Sequence, residues 1–207
     1  MKFFNKQPKI FCIGLNKTGT TSLGAFLEHS GFIVDKQSYG EGLLSNYLKR
    51  DFKSIIKHCK NSKAEVFQDV PFSLPYTFCH LDNAFPNSKF ILTIRNSNEQ
   101  WYESILKFHS DKFNKGSKPT YKSLINSNYV YKGWMWDLMN DVFFKNNENT
   151  YDRQGFIDVY DSYVASVKSY FRNTPNKLII INLSKENDFK RVCEFLDINS
   201  NLKIFPK

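Results

Sequence analysis

The stretch KIFCIGLNKTGTTSL, residues 9–23, decides the fold of this chain. Its first part, Lys9 to Gly14, is an apolar run bounded by Pro8, which is typical of a strand buried on both faces of a parallel sheet. A loop follows, and Thr20 can cap a helix whose apolar residues have helical spacing. The stretch therefore predicts a strand, a glycine-containing loop and a helix in direct succession.

Short apolar runs alternate with amphipathic stretches along the rest of the chain. Further strands are predicted at 32–34, 64–68, 89–94 and 177–183, and further helices at 41–59, through 81–85, from the Ser97–Gln100 capping box onward, and at 186–196. This order predicts an α/β fold of three layers, α/β/α, around a central, mostly parallel sheet. We expect one domain over residues 1–207, with a variable helical or loop insertion at about 110–150 where periodicity is weakest.

Composition bounds the functional classes. The chain has 207 residues with 41% hydrophobic residues, which predicts a folded protein with its own core. No apolar run approaches the roughly 18 residues of a membrane span, and residues 1–10 hold no signal-peptide core, so we expect a soluble, cytoplasmic protein. The net charge of +9 suits a polyanionic partner, although a solvated lysine-rich helix face within 49–63 explains it equally well.

The four cysteines are far apart in the sequence and form no C-x-x-C pair. They are Cys12, Cys59, Cys79 and Cys193. This spacing suggests neither a zinc site nor a thioredoxin-like site. We expect reduced thiols and no metal centre.

The loop after the first predicted strand has the features of an anion site. Loop amides and a helix N-terminus face a phosphate group in such an arrangement. Gly14 and Gly19 have the separation of the two glycines in a Walker A loop, but Thr20 occupies the position of the Walker lysine. Lys17 can still reach a phosphate oxygen as a point charge, whereas the Walker magnesium arrangement is not reproduced. The alternative is a strand-to-helix turn without a ligand.

The segment FCIGLNKTGTTSL resembles the 5′-phosphosulfate loop of sulfotransferases that use 3′-phosphoadenosine 5′-phosphosulfate (PAPS). ILTIRNSNEQWYES is similar to their 3′-phosphate site, and DVPF at 69–72, VCEFL at 192–196 and FP at 205–206 resemble a small microbial branch. The resemblance spans roughly residues 9–206. It implies a P-loop nucleoside-triphosphate-hydrolase-like fold, PAPS as the donor, 3′-phosphoadenosine 5′-phosphate (PAP) as the product, and no metal.

The same resemblance implies the residues that hold the donor. They are Asn16, Lys17, Thr18, Gly19, Thr20, Thr21 and Ser22 in the loop, with Arg95 and Ser104 at the 3′-phosphate. Arg95 and Ser104 stand one residue further apart than in the family's pattern, so the turn between them is expected to absorb an insertion. Where that branch shows Y-x-x-H, this chain has Tyr160 and Tyr163.

Transfer of a sulfuryl group also needs a base for the acceptor proton. Asp69 follows the 64–68 strand, at the edge where open α/β sheets gather ligands, and matches the place where sulfotransferases keep a histidine or an acid. We predict that Lys17 and Asp69 are catalytic. Asp69 as a helix N-cap is the structural alternative, and His80 and His109 are rival bases.

The sequence says less about the residues that would bind the acceptor. Trp101 shares a helix stripe with apolar residues and is predicted to be core rather than an adenine platform. Four aromatic residues of the insertion either line an acceptor cleft or form a small helical core: Tyr129, Tyr131, Trp134 and Trp136. The insertion is predicted to select the acceptor, a hydroxyl or amine of a small molecule, carbohydrate or lipid.

Two other functional classes share some of these features. A P-loop nucleoside or nucleotide kinase would have the same fold, but the chain lacks G-K-[ST]. A basic nucleic-acid-binding domain would explain the net charge of +9, but no recognition motif is present. Magnesium-dependent ATP turnover and salt-dependent oligonucleotide binding, respectively, would identify them.

Overall fold

The computed structural model describes residues 8–144 and 149–206. The strands are β1 (Ile10–Cys12), β2 (Val66–Gln68), β3 (Lys89–Thr93) and β4 (Leu178–Ile181). The helices before β3 are α1 (Thr20–His29), α2 (Gln37–Glu41), α3 (Leu44–Leu48), α4 (Phe52–Asn61) and α5 (Thr77–Ala84). Those after β3 are α6 (Asn98–Phe113), α7 (Tyr121–Ile125), α8 (Trp134–Val142), α9 (Arg153–Tyr170), followed by a 3₁₀ turn at Phe171–Asn173, and α10 (Glu186–Leu196).

The four strands form one parallel sheet in the order β2-β1-β3-β4. Ile10 of β1 is paired with Val66 on one side and with Lys89 on the other, and Phe90 of β3 is paired with Leu178. Parallel neighbours need crossover connections, and here helices supply them on both faces of the sheet. The predicted α/β fold with a central parallel sheet is confirmed.

The alternating side chains of the strands face two separate cores, as the period of two requires. Ile10, Cys12 and Ile91 pack against α1 and α10, where Phe26 lies 5.0 Å from Phe189 between ring centroids. The C-terminal Phe205 joins this core. On the opposite face, four buried strand residues meet side chains of α4, α5, α6, α8 and α9: Phe11, Phe67, Phe90 and Leu92. Burial of each such side chain contributes about 1.5–3 kcal/mol.

Two sequence-based predictions are wrong in detail. Residues 32–34 form only an isolated bridge, between Val34 and Val66, because the segment leaves the sheet edge after one pair. The helix predicted over 41–59 is divided into α3 and α4. Arg50 takes a left-handed conformation with φ 57°, and the Asp51 side chain accepts a hydrogen bond from the Ser54 amide, so it starts a new helix.

The region after β3 is more helical than its sequence pattern indicated. The predicted cap of α6 is confirmed, since the Ser97 hydroxyl accepts from the Gln100 amide at 3.1 Å. The helix continues to Phe113, and α7 and α8 follow within the predicted insertion, of which residues 145–148 lie outside the described residues. The 18-residue helix α9 was not predicted at all.

Within 8–144 and 149–206 no helix combines the length and the apolar character that crossing a membrane requires. The same residues hold no group of three or more His, Cys, Asp or Glu side chains arranged for a metal ion. The four cysteines are free, and Cys12 and Cys59 are buried.

Replacement of Gly14 by alanine tests the contact between the ends of β1 and β3. A Cβ at Gly14 would lie 1.8 Å from the Thr93 Oγ1 and 2.8 Å from the Thr93 carbonyl oxygen, so the strands would have to separate. We expect Gly14→Ala to cost about 1–3 kcal/mol of unfolding free energy by overpacking. Gly42→Ala is the matched control, since its nearest atoms lie at 3.5 Å. Equal denaturation midpoints for the two variants would contradict this packing.

Candidate active site

A cavity of about 440 Å³ lies at the carboxyl ends of the central strands. Its lining combines the β1–α1 loop, the residue after β2, the residues after β3, and parts of α2, α6 and the 110–150 region. The lining residues are Asn16, Lys17, Gly19, Thr20, Thr21, Gln37, Glu41, Asp69, Arg95, Phe108, His109, Lys112, Phe113, Tyr129, Trp134 and Met135. Five of them carry charged side chains: Lys17, Glu41, Asp69, Arg95 and Lys112.

The β1–α1 loop and the first turn of α1 border the cavity. Lys17 and Gly19 are both left-handed, with φ values of 70° and 102°, and the loop therefore curves around the cavity mouth. The prediction that Thr20 caps helix α1 is wrong: Gly19 is the N-cap, and the helix begins without a side-chain cap and with no acidic residue in its first turn. Its first amides, at Thr20 and Thr21, have no partner within the helix, and its positive end faces the cavity. This donor set fits a phosphate or phosphosulfate group.

Four hydrogen bonds fix the conformation of the loop and of the chain that enters it from β1. The buried Thr18 hydroxyl donates to the Leu15 carbonyl at 2.6 Å and lies 2.5 Å from the Thr93 hydroxyl. The two others come from helices: the Trp101 indole donates to the Asn16 carbonyl at 3.0 Å, and the Tyr163 hydroxyl donates to the Ile13 carbonyl at 2.7 Å. Trp101 is fully buried, so its predicted place in the core is confirmed. Tyr163, which stands at the histidine position of the Y-x-x-H pattern, thus supports the start of the loop.

Arg95 connects the end of β3 to the same loop. Its Nε donates to the Lys17 carbonyl at 2.6 Å, and its amide donates to the Tyr160 hydroxyl at 3.1 Å. The Lys17 ammonium lies 3.9 Å from the centroid of the Phe108 ring, in cation–π geometry. Burial lowers the pKa of Lys17, and the positive charge of Arg95 lowers it further. The two cations thus face one cavity.

Asp69 lies directly after β2 with a left-handed φ of 59°, and its side chain is buried in the cavity wall. Burial raises the pKa of this carboxyl, and the charge of Glu41 raises it further, while a hydrogen bond with Thr20 and the charge of Lys17 oppose the shift. Asp69 is no helix N-cap, because α5 begins at Thr77 with Tyr76 as its N-cap. The predicted base therefore faces the loop.

The two histidines considered as rival bases have different surroundings. His80 is exposed, stacks on Phe52 at 3.9 Å between ring centroids, and does not line the cavity. His109 lines the cavity and is buried, with its Nδ1 at 2.5 Å from the Tyr151 hydroxyl. Burial, followed by the charges of Lys17 and Lys112, lowers the pKa of His109 to about 3. A histidine with that pKa is neutral and weakly basic at pH 7.

Sequence reasoning missed Glu41, the second carboxylate of the cavity. Its Oε1 accepts hydrogen bonds from the Gln37 amide group at 2.8 Å and from the Tyr129 hydroxyl at 2.7 Å, and its backbone carbonyl accepts from the Trp134 indole at 3.1 Å. The Gln37–Glu41 spacing of one helical turn was visible in the sequence. The pairing with Tyr129 spans 88 residues and leaves no local signal.

The insertion contributes part of its aromatic residues to the cavity. Tyr129 and Trp134 line it, together with Met135. Tyr131 and Trp136 do not: the Tyr131 hydroxyl donates to Asp137 at 2.8 Å, and Trp136 packs on other aromatic rings of the region. Tyr129 and Trp134 therefore border the cavity, and their contact with an acceptor stays a prediction.

Three residues that the resemblance assigned to the donor do not line this cavity. The Thr18 side chain points toward Thr93, and Ser22 lies outside the lining. The Ser104 hydroxyl donates to the Gln100 carbonyl of its own helix at 2.7 Å. Contacts of Thr18, Ser22 and Ser104 with a donor stay predictions.

The pH dependence of stability tests the environment of Asp69. Because the folded pKa of Asp69 is raised, the folded state holds its proton to higher pH than the unfolded state, and stability is lost as pH rises above about 3.9, the ordinary value. We expect Asp69→Asn to gain unfolding free energy over the native chain as pH rises from 3.5 to 7.5, measured by urea denaturation.

Asp51→Asn is the matched control with the opposite sign. Hydrogen bonds from Ser54 and Asn46 lower the pKa of Asp51, so the native chain gains stability as pH rises toward the unfolded pKa. Asp51→Asn should therefore lose unfolding free energy relative to the native chain between pH 3.5 and about 5, and show no further change above that. An unfolding free energy of Asp69→Asn that falls relative to that of the native chain as pH rises would contradict the buried site.

Comparison with known proteins finds one family model that matches this chain. A family model described as a sulfotransferase domain matches residues 9–207, which is essentially the whole chain. No curated protein matches the sequence.

Proposed function

The chain belongs to the sulfotransferase domain family, and from this premise we propose that it moves a sulfuryl group from PAPS to a hydroxyl or amine of an acceptor. The single observation that supports the proposal best is the cavity that joins the Lys17 loop, Arg95 and Asp69. An anion-binding wall and a carboxylate base thereby face the same space. Acceptor oxygen, sulfur and leaving phosphate must line up in such a space for transfer in line.

The loop binds the phosphosulfate end of the donor substrate. Amides of Thr20 and Thr21 donate to its oxygens, and the Lys17 ammonium supplies the compensating charge from its position beside Phe108. Arg95 orients the loop through the Lys17 carbonyl and leaves the rest of its guanidinium for the 3′-phosphate. These groups are fixed before the donor arrives, which lowers the cost of orienting it.

The acceptor oxygen or nitrogen attacks the sulfur atom, and its bond to sulfur forms as the bond between sulfur and the 5′-phosphate oxygen breaks. The electron pair of that bond leaves with the phosphate, where Lys17 and the loop amides stabilise the growing negative charge. The acceptor proton passes to the Asp69 carboxylate, whose raised pKa brings its basicity closer to neutral pH. The products are the sulfated acceptor and PAP.

Kinase chemistry is the less supported use of the same loop. Thr20 occupies the position where a Walker A loop places its lysine. We place the reaction in the cytoplasm, where the thiols of Cys12 and Cys59 stay reduced. Nucleic-acid binding rests on net charge alone and has no supporting geometry.

Calorimetry with PAP in EDTA, compared with ATP plus magnesium, checks the donor. We expect PAP to bind without metal and more tightly than ATP. Lys17→Ala should weaken PAP binding about ten- to a hundredfold, because it removes a charge-assisted contact of about 1.5–3 kcal/mol. Lys107→Ala, on the exposed side of α6 and outside the cavity, is the matched control. Tighter binding of ATP would exclude PAPS as the donor.

Arg95→Ala separates recognition of the 3′-phosphate from support of the loop. We expect a loss of about ten- to a hundredfold in PAP affinity and little change for adenosine 5′-monophosphate, which lacks that phosphate. Ser104→Ala should act in the same direction. Tyr160→Phe, which removes the hydroxyl that accepts from the Arg95 amide, is the control for loop geometry. Equal losses for both nucleotides would show that Arg95 only supports the Lys17 carbonyl.

A further inference from the structure

The cavity contains one more carboxylate than the proposed reaction uses. Glu41 and Asp69 both line it, and their residues are only 9% and 5% exposed. They lie close enough for the charge of Glu41 to act on Asp69. Two carboxylates buried in one cavity are costly unless each has a donor. The reaction accounts for Asp69 and leaves Glu41 without a role.

Glu41 is held in one orientation by its own surroundings. The Gln37 amide group and the Tyr129 hydroxyl both donate to Oε1, and the Trp134 indole holds the backbone. Among the residues 8–144 and 149–206, none donates a hydrogen bond to Oε2. A buried carboxylate that lines a cavity, is held in one orientation and has one oxygen without a donor from the described residues has the form of a binding group for a ligand donor.

The walls around Glu41 narrow the chemistry of that ligand. The rings along the cavity are those of Phe108, Phe113, Tyr129 and the almost fully buried Trp134, and Met135 adds an apolar side chain. Apart from Gly19, the other lining residues are polar or charged, which disfavours a lipid chain. The Lys112 ammonium lies over the Tyr129 ring at 4.1 Å, so that face of the ring already has a cation as its partner. Ring surfaces combined with carboxylate acceptors suit a molecule with apolar C–H faces and several hydroxyl groups.

We propose that the acceptor is a sugar or related polyol that presents two neighbouring hydroxyl groups, one to Asp69 for sulfation and one to Glu41 for binding. The proposal rests on the proposed function and names its acceptor class. A phenol, a simple alcohol or a monoamine has a single donor group, which Asp69 would take, and would leave the Oε2 atom of Glu41 without a donor. Tyr129 is then a positioning residue, since it links the insertion to the carboxylate that binds the second hydroxyl.

The test crosses an enzyme variant with a substrate change. Release of PAP from PAPS is first measured with methyl glycosides, simple alcohols, phenols and primary amines. For the best glycoside, the deoxy analogue that lacks the hydroxyl next to the sulfated one is then compared with the native glycoside on the native chain, Glu41→Gln and Tyr129→Phe.

On the native chain, removal of the neighbouring hydroxyl should lower kcat/KM at least about tenfold, as loss of a hydrogen bond to a charged group does. In Glu41→Gln the same removal should lower kcat/KM by less than about threefold. In Tyr129→Phe the decrease should lie between that of the native chain and that of Glu41→Gln. Thermal unfolding checks that each variant is folded. If Glu41→Gln does not fold, the comparison of Tyr129→Phe with the native chain decides the test.

Three results would overturn the proposal. Faster transfer to a phenol or an amine than to any polyol would exclude the acceptor class while leaving sulfuryl transfer intact. An equal loss of turnover for all acceptors on Glu41→Gln would make Glu41 the base rather than a binding group. Failure of the native chain to bind PAP, measured separately by calorimetry, would remove the proposed function itself.

Discussion

The close approach of Gly14 to Thr93 is the constraint on which the site depends. Only a residue without a Cβ fits there, and this lets the end of β1 lie against the end of β3. The Thr18 hydroxyl then reaches the Thr93 hydroxyl, and the Arg95 guanidinium reaches the Lys17 carbonyl. The loop that faces the cavity is therefore fixed by the neighbouring strand rather than by its own sequence alone.

Burial gives the site its electrostatic character. It lowers the pKa of Lys17 and raises the pKa of Asp69, so both groups are shifted toward their neutral forms before any ligand is present. Both residues are also left-handed, a conformation that costs free energy for a non-glycine residue. Desolvation and backbone strain of this kind concentrate at functional sites, where a bound anion and acceptor recover part of the cost.

The parts of the fold that local patterns determine could be predicted from the sequence. The apolar run of β1, the loop with Gly19 and the Ser97 cap of α6 each carry their signal within a few residues, and Asp69 and Arg95 follow from strand ends. These positions are enough to locate the side of the cavity that the β1–α1 loop forms.

Non-local contacts account for most of what the sequence did not predict. The pairing of Glu41 with Tyr129 joins two segments that show no common pattern. The break at Arg50 interrupts an apolar stripe that continues on both sides, so periodicity alone favoured one helix. Helix α9 supports Ile13 and Arg95 through Tyr163 and Tyr160, an arrangement visible only after the chain folds.

Transfer of labelled sulfur tests the central claim most directly. The protein would be incubated in EDTA with PAPS carrying radiolabelled sulfur and with the acceptor panel, for the native chain and Asp69→Asn. The account predicts that label appears on an acceptor in equal amount to the PAP released, and that Asp69→Asn slows this transfer by about 10²- to 10⁴-fold while PAP still binds. An unchanged rate for Asp69→Asn, or label that never leaves PAPS, would contradict it.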